Sequence, residues 1–148
     1  MPANPDFRDL FAAFNAGRVK YLLVRGYALA FHGRPRFTKD LDVWLEPDAE
    51  NAVRAYAALE AFGAPLNALS SADLAQPGLI FQIGVAPNRI DVLTAIDGVS
   101  FDEAWPERQE TRYSDQSVPV ISRKHLILNK RATGRPQDIL DAQELEKG

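Results

Sequence analysis

The first regular pattern along the chain is a set of apolar residues spaced three or four positions apart. This spacing predicts an amphipathic helix over Asp6–Asn15, with Asp6 as its N-cap and Gly17 just beyond its end. The residues of its apolar face are Phe7, Leu10, Phe11 and Phe14. A second, alanine-rich helix is predicted over Asp48–Phe62, with Asp48 as its N-cap and Gly63 just past its end.

The C-terminal part of the chain predicts two consecutive helices. Ser122 is a suitable N-cap for a helix that runs to about Thr133, and Gly134 ends that helix. Pro136 then stands where the first turn of a helix tolerates proline, and Gln137–Leu145 continues as the last helix. We therefore expect a C-terminal helical hairpin.

Short apolar or alternating segments between these helices predict strands. They are Lys20–Val24, Asp40–Leu45, Leu79–Val85, Arg89–Ala95 and Val118–Ile121. Only three residues join the third and fourth strands, which favours an antiparallel hairpin. A short helix, Tyr27–His32, is predicted after the first strand. Because strands and helices alternate, we expect an α/β (α+β) fold, a mixed sheet flanked by helices, in a single domain over residues 1–148.

The composition is that of an ordinary globular protein, with 46% apolar and 25% charged residues. The net charge of −3 argues against a general nucleic-acid binder. The chain has no cysteine, which excludes disulfides and thiolate zinc sites and fits a reducing compartment. The sequence shows neither a signal-peptide pattern nor an apolar run of membrane-spanning length. We therefore expect a cytoplasmic protein with no membrane partner.

Two carboxylates in the second predicted strand are candidates for metal chemistry. Asp40 and Asp42 are two residues apart, so in a strand they face the same side, about 6.6 Å apart at a rise of ~3.3 Å per residue. Such a pair suits Mg²⁺, which takes hard oxygen ligands and keeps waters and substrate phosphates in its shell. An exposed strand that carries two acids without a function is the alternative interpretation.

A third carboxylate, Asp91, lies in another predicted strand, and its neighbours Ile90 and Val92 face the apolar side. If this strand lies beside the strand of Asp42, the carboxylates converge and suit two metal ions about 3.5–4 Å apart. Gly26 lies between a strand and a helix, where a glycine lets backbone N–H groups approach a phosphate. Taken singly, Asp91 is also compatible with a surface acid and Gly26 with a tight turn.

Taken together, these residues resemble the signature of the minimal nucleotidyltransferases of the DNA polymerase β-like superfamily. That signature is a strand ending at a glycine turn, a helix, a loop, Asp-X-Asp on the next strand and a later Asp. Here residues 21–45 read YLLVRGYALAFHGRPRFTKDLDVWL and residues 89–93 read RIDVL. The chain is similar to small bacterial members with a Gly-Gly-Tyr-Ala and an Arg-X-Thr-X-Asp-hydrophobic-Asp pattern, several of which serve in toxin–antitoxin or phage-defence pairs. The resemblance extends from Tyr21 to about Leu145.

The resemblance implies roles for the matching residues. Asp40, Asp42 and Asp91 would bind two Mg²⁺ ions, or Mn²⁺, and Asp91 would help to activate the attacking hydroxyl. The residues implied to contact the NTP or to order its site are Gly26, Arg25, Arg36, Thr38 and Lys130. The implied reaction moves a nucleoside monophosphate from an NTP to an acceptor hydroxyl of a protein, a tRNA 3′ end or a small molecule. A cognate toxin or antitoxin protein is the implied partner.

Two positions depart from the family pattern. Arg25 stands where the family has glycine, and Gln137 replaces the lysine that usually precedes Asp138. The side chain of Arg25 either obstructs the phosphate turn or offers a cation to the phosphates. The alternative function is therefore a catalytically impaired protein of this fold that binds a nucleotide or a partner protein.

Overall fold

The helices of the protein begin and end close to the predicted capping residues. The computed structural model describes residues 4–34, 40–85 and 88–148. Its α-helices are α1 (Pro5–Ala16), α2 (Arg25–Phe31), α3 (Ala49–Phe62), α4 (Ser71–Leu74), α5 (Phe101–Ala104), α6 (Arg123–Thr133) and α7 (Pro136–Lys147). Asp48 caps α3 and Ser122 caps α6, as predicted. The prediction for α1 was wrong: Asn4, not Asp6, is its N-cap, because Pro5 already begins the helix.

Six strands of the described part of the chain form one mixed sheet. They are β1 (Tyr21–Leu23), β2 (Leu41–Leu45), β3 (Ile80–Ile83), β4 (Ile90–Leu93), β5 (Gln109–Tyr113) and β6 (Gln116–Val120), arranged in the order β3-β4-β2-β1-β6-β5. β2 is parallel to β4 and antiparallel to β1, and β1 is parallel to β6. Antiparallel hairpins, β3–β4 and β5–β6, form the two edges. The predicted mixed sheet and the first of these hairpins are confirmed.

The structure differs from the sequence prediction where a pattern is short or polar. β5 was not predicted because its sequence, QETRY, is polar and lies largely exposed at the edge of the sheet. α4 has only four residues, too few for a periodic pattern, although Ser70 and Asp73 form a capping box. The alternation of charged and apolar residues in Asp40–Leu45 is typical of a half-buried strand, but all five residues of β2 are buried because both of its faces are covered.

The core lies on both sides of the central strands. Phe11 and Phe14 of α1 pack against the ring of Tyr21, with ring centroids 6.1 and 5.1 Å apart. On β2, Trp44 is fully buried and meets Phe101 edge to face at 5.0 Å. Within the described residues, no helix is both long and apolar enough to cross a membrane. Asp42 lies on the same strand as Trp44, so its carboxyl group is buried as well.

Gly98 lets the turn after β4 approach α6 closely. Its φ is +77°, and a Cβ there would lie 2.5 Å from the Cβ of Ala132 and 3.3 Å from the carbonyl oxygen of Leu128. We expect Gly98→Ala to lower the free energy of unfolding by roughly 2–4 kcal/mol, from backbone strain and overpacking together. Gly33→Ala is the matched control, because Gly33 also has a positive φ of +88°, but apart from its chain neighbours no atom of the described residues lies within 4 Å of its Cβ position. Equal losses in urea unfolding would contradict the packing argument.

Candidate active site

Asp42 and Asp91 lie side by side on two neighbouring strands in the sheet. The parallel register of β2 and β4 pairs the Cα of Asp42 with that of Asp91, and the two residues are only 8% and 4% exposed. Asp40 directly precedes β2, and 33% of its side chain is exposed. Because residues two apart in a strand share a face, Asp40 is on the same side as Asp42. The structure thus brings together the three carboxylates that the sequence singled out.

The carboxyl group of Asp42 is in an unfavourable environment for a negative charge. Burial raises its pKa to about 7, against an opposing effect of Arg25, and the charges of Asp91 and Asp40 raise it further. A cation near Asp42 would relieve both the burial cost and the repulsion. The electrostatics therefore favour a site that is completed by positive charge.

Arg25 supplies one such charge from a strained backbone position. Its φ is +58°, in the left-handed region, and its Nη1 lies 3.4 Å from Oδ1 of Asp42. The chain therefore turns at Arg25, the position where the resembling family has glycine, whereas Gly26 lies inside the first turn of α2. A turn at Gly26 was expected, so the prediction was wrong by one residue. For an L-residue this conformation costs about 1–2 kcal/mol, and Arg18 and Ser114 adopt it as well, with φ of +55° and +57°.

Two substitutions at Arg25 isolate this strain. Arg25→Gly and Arg25→Ala both remove the guanidinium, but only alanine keeps a Cβ in the left-handed region. We expect the glycine variant to be the more stable by about 1 kcal/mol in urea unfolding. An alanine variant of equal or greater stability would show that the backbone at this position relaxes without cost.

Arg89 is a site residue that the sequence analysis missed. Its Nη2 lies 3.3 Å from Oδ2 of Asp40 and donates a hydrogen bond of 3.3 Å to Oδ2 of Asp91. Its Nε lies 3.0 Å from Oδ1 of Asp91, in an ion pair without hydrogen-bond geometry. The available signal was the spacing of Arg89 and Asp91, which are two residues apart and therefore face the same side of a strand.

The ammonium of Lys130 is held by two carboxylates of the next helix. It lies 3.2 Å from Asp138 and 3.2 Å from Asp141, and only 6% of Lys130 is exposed. These contacts join α6 to α7, so in this structure Lys130 connects the C-terminal hairpin. Its implied contact with a phosphate stays a prediction. Arg36 and Thr38 lie outside the described residues.

A cavity of about 250 Å³ opens beside the carboxylates. Its wall includes Arg25, the segment after β4 with Asp97, and the turn of the C-terminal hairpin with Asn129, Lys130 and Arg135. Arg25 belongs both to this wall and to the contact with Asp42, so the cavity adjoins the carboxylates. The positive side chains in its wall suit a phosphate-bearing ligand.

The site offers Mg²⁺ two carboxylate ligands and not a closed cage of protein ligands. Over the described residues, no three or more histidine, cysteine, aspartate or glutamate side chains are arranged to enclose one metal ion. Mg²⁺, however, is usually bound by one or two carboxylates together with waters and substrate phosphates. Asp40 and Asp42 provide such a pair of hard oxygen ligands, next to a cavity whose wall carries Arg25, Lys130 and Arg135 together with Asp97 and Asp138.

No protein-family model matches the sequence, and no curated protein sequence matches it. Solved structures do resemble the chain over almost its whole length. The lincomycin-bound lincosamide antibiotic adenylyltransferase LnuA has a TM-score of 0.59 and 15% identity, and the match covers 98% of this chain and 97% of that chain. ANT(2″)-Ia in complex with adenylyl-2″-tobramycin has a TM-score of 0.60 and 15% identity, over 94% of this chain and 84% of that chain. At this identity the likeness establishes the fold: this chain has the nucleotidyltransferase fold that the sequence resemblance implied.

Proposed function

We propose that this protein is a Mg²⁺-dependent nucleotidyltransferase that moves a nucleoside monophosphate from an NTP to an acceptor hydroxyl. The observation that carries the proposal is the register of β2 and β4, which sets Asp42 beside Asp91 with Asp40 on the same face. In a nucleotidyltransferase fold, carboxylates so placed suit the binding of a metal-bound triphosphate. We expect the protein in the cytoplasm, where NTPs are abundant.

The proposed reaction exchanges one P–O bond for another. The acceptor oxygen forms a bond to the α-phosphorus of the NTP, the bond from that phosphorus to the α,β-bridging oxygen breaks, and pyrophosphate leaves. The hydroxyl proton passes to a carboxylate of the site, for which Asp91 is the candidate. When bound at Asp40 and Asp42, Mg²⁺ would polarise the phosphoryl oxygens and offset the charge of the leaving group.

The residues around the carboxylates would position the triphosphate. Arg25 reaches both Asp42 and the cavity, so its guanidinium can pair with a phosphate once the metal neutralises Asp42. Arg135, of whose side chain 68% is exposed, lines the same cavity and pairs with Asp138 at 2.9 Å. Lys130 and Thr133 also contact Asp138, so the carboxylate keeps partners when Arg135 turns to a phosphate. Gly26 in the first turn of α2 adds no side chain next to Arg25. Positioning and electrostatics of this kind supply most of the rate in phosphoryl transfer.

The test uses each of the four NTPs labelled at the α-phosphate, with Mg²⁺ and a cell lysate separated into protein, RNA and small-molecule fractions. Label should appear in one fraction from the α-labelled NTP and not from the same NTP labelled at the γ-phosphate. It should depend on Mg²⁺ or Mn²⁺ and disappear with EDTA. Transfer of the γ-label instead would identify a kinase and overturn the proposal.

The acceptor class is proposed from the neighbours of the fold. One of the two solved structures is a lincosamide antibiotic adenylyltransferase with lincomycin bound, and the other is in complex with adenylyl-2″-tobramycin. A small molecule with a free hydroxyl is therefore the first acceptor to test, followed by proteins and tRNA 3′ ends. The fraction that takes up the label decides among them.

A toxin–antitoxin or phage-defence setting is a further part of the proposal, and it rests on the sequence resemblance. Expression of the chain alone in a bacterial host should then arrest growth, and Asp40→Ala should abolish the arrest. A cognate antitoxin would be the protein partner that relieves it. Normal growth with demonstrated transferase activity would leave the enzyme without a toxic role.

A nucleotide-binding module without transfer is the second candidate, because Arg25 and Arg89 already place positive charge on the carboxylates. The two functions differ in their need for metal. An enzyme should bind a triphosphate tightly only with Mg²⁺, whereas a module that relies on its arginines should bind it equally well in EDTA. Calorimetry with a non-hydrolysable ATP analogue separates them.

A further inference from the structure

The two arginines of the site engage their carboxylates unequally. Arg89 contacts both oxygens of Asp91, at 3.0 and 3.3 Å, and reaches Asp40 as well. Arg25 makes one contact of 3.4 Å with Asp42. Only the contact of Nη2 with Oδ2 has hydrogen-bond geometry, but both contacts bring the positive charge of one guanidinium against a buried carboxylate. Asp91 is therefore engaged more closely by a cation of the protein than Asp42 is.

The backbone of Arg89 is fixed next to the carboxylates. It precedes Asp91 by two residues on the same face, and its carbonyl oxygen accepts a hydrogen bond of 2.9 Å from the N–H of Leu41, which fixes its backbone to β2. Asp91 is 4% exposed, so removal of the guanidinium would leave a buried carboxylate without its cation.

We propose that Arg89 takes the place of the second divalent ion, so that the chain binds one Mg²⁺, at Asp42 and Asp40. This inference rests on the proposed function and changes its metal content from the two ions that the sequence resemblance implied. Three carboxylates, one guanidinium and one divalent ion have no net charge together, which leaves Arg25 for the triphosphate. In the reaction, Arg89 would hold Asp91 in place beside the metal-bound NTP.

The experiment counts ions instead of measuring turnover. Mn²⁺ is titrated into the full chain with and without α,β-methylene ATP, and bound Mn²⁺ is followed by calorimetry and by electron paramagnetic resonance. Two Mn²⁺ ions about 3.5–4 Å apart, the separation in two-metal sites, give a spin-coupled spectrum that a single ion does not. We expect one Mn²⁺ per wild-type chain and no coupled spectrum.

Arg89→Gln should admit the second ion. Removal of a neighbouring positive charge should lower the dissociation constant of that ion by about tenfold or more, and the coupled spectrum should appear. Arg112→Gln is the matched control, because it removes the same charge from β5 at the opposite edge of the sheet, and it should keep one ion. Arg89→Lys, which keeps the charge, should also keep one ion.

Two outcomes overturn the inference: two Mn²⁺ ions in the wild-type chain, or one ion in a folded Arg89→Gln variant. If Arg89→Gln does not fold, the wild-type count alone decides. The proposed function fails separately, through absence of any Mn²⁺ binding and of α-label transfer. A wild-type chain with two ions and active transfer would remove the inference and keep the function.

Discussion

The Asp42→Asn variant is expected to lose nucleotidyl transfer by about 10³-fold or more. Asp42 is the most weakly engaged of the buried carboxylates and the one best placed to bind Mg²⁺ next to the cavity. A metal contributes several kcal/mol to stabilisation of the transition state, and each 1.36 kcal/mol is a factor of about ten in rate. The measurement is α-label transfer at saturating NTP and Mg²⁺.

The same substitution should stabilise the metal-free protein. In the folded chain the pKa of Asp42 is raised to about 7 from an ordinary value of 3.8, chiefly by burial. The native state therefore binds the proton more tightly than the unfolded state, and ionisation of Asp42 lowers stability as the pH rises from about 4 to 7. Asparagine does not ionise, so we expect a gain of roughly 1–3 kcal/mol at pH 8 that fades towards pH 4.

Asp9→Asn is the control for both effects. Asp9 is an exposed acid on α1, and its substitution removes the same charge far from β2 and β4. It should change neither transfer nor the pH dependence of unfolding in EDTA. Full activity of Asp42→Asn would remove this residue from the proposed mechanism, and a stability loss that persists at pH 8 would contradict the buried-charge argument.

The parts of the fold that the sequence predicted well are those set by local chemistry. Asp48 and Gly63 enclose α3, and Ser122 and Gly134 enclose α6, because a cap and a left-handed glycine act within one turn of the helix. β5 has no such local signal. Its polar residues form a strand because β6 pairs with them at the edge of the sheet, which no pattern inside residues 109–113 indicates.

In the candidate site, too, local spacing predicted some positions, whereas others depend on strand pairing between distant parts of the chain. The spacing of Asp40 and Asp42 placed both on one face of a strand, which is a local property. The approach of Asp91 depends on the parallel pairing of β2 with β4, which are 45 residues or more apart in the chain, and only the resemblance to a family suggested it. Arg89 escaped notice because an arginine beside an acid is common, and its contact with Asp40 depends on that same long-range pairing.

Lys130→Met is expected to lower the free energy of unfolding by about 3 kcal/mol, near the lower end of the range for breaking a buried ion pair. The ammonium of Lys130 lies 3.2 Å from Asp138 and from Asp141, and Asp141 is only 6% exposed. Methionine keeps most of the side-chain volume, so the loss would reflect charge and not a cavity. Thr133, Arg135 and Gln137 also contact these carboxylates and limit the loss. Urea unfolding at pH 7 is the measurement.

Two further variants test whether the charge network around Lys130 causes this loss. Lys124→Met changes a lysine of the same helix whose side chain is 66% exposed, and it should cost less than about 0.5 kcal/mol. Adding Asp141→Leu to Lys130→Met removes the stranded carboxylate, so the double variant should be more stable than Lys130→Met alone. Burial alone would raise the pKa of Asp138, but the hydroxyl of Thr133 and the charge of Lys130 hold this pKa below its ordinary value. The stabilisation of the fold by the Lys130–Asp138 ion pair should therefore be present at neutral pH and weaken as the pH falls through the lowered pKa. If Lys130→Met is as stable as the wild-type chain, the ammonium has no structural role in the hairpin, and the phosphate contact implied by the resemblance becomes the better explanation for it.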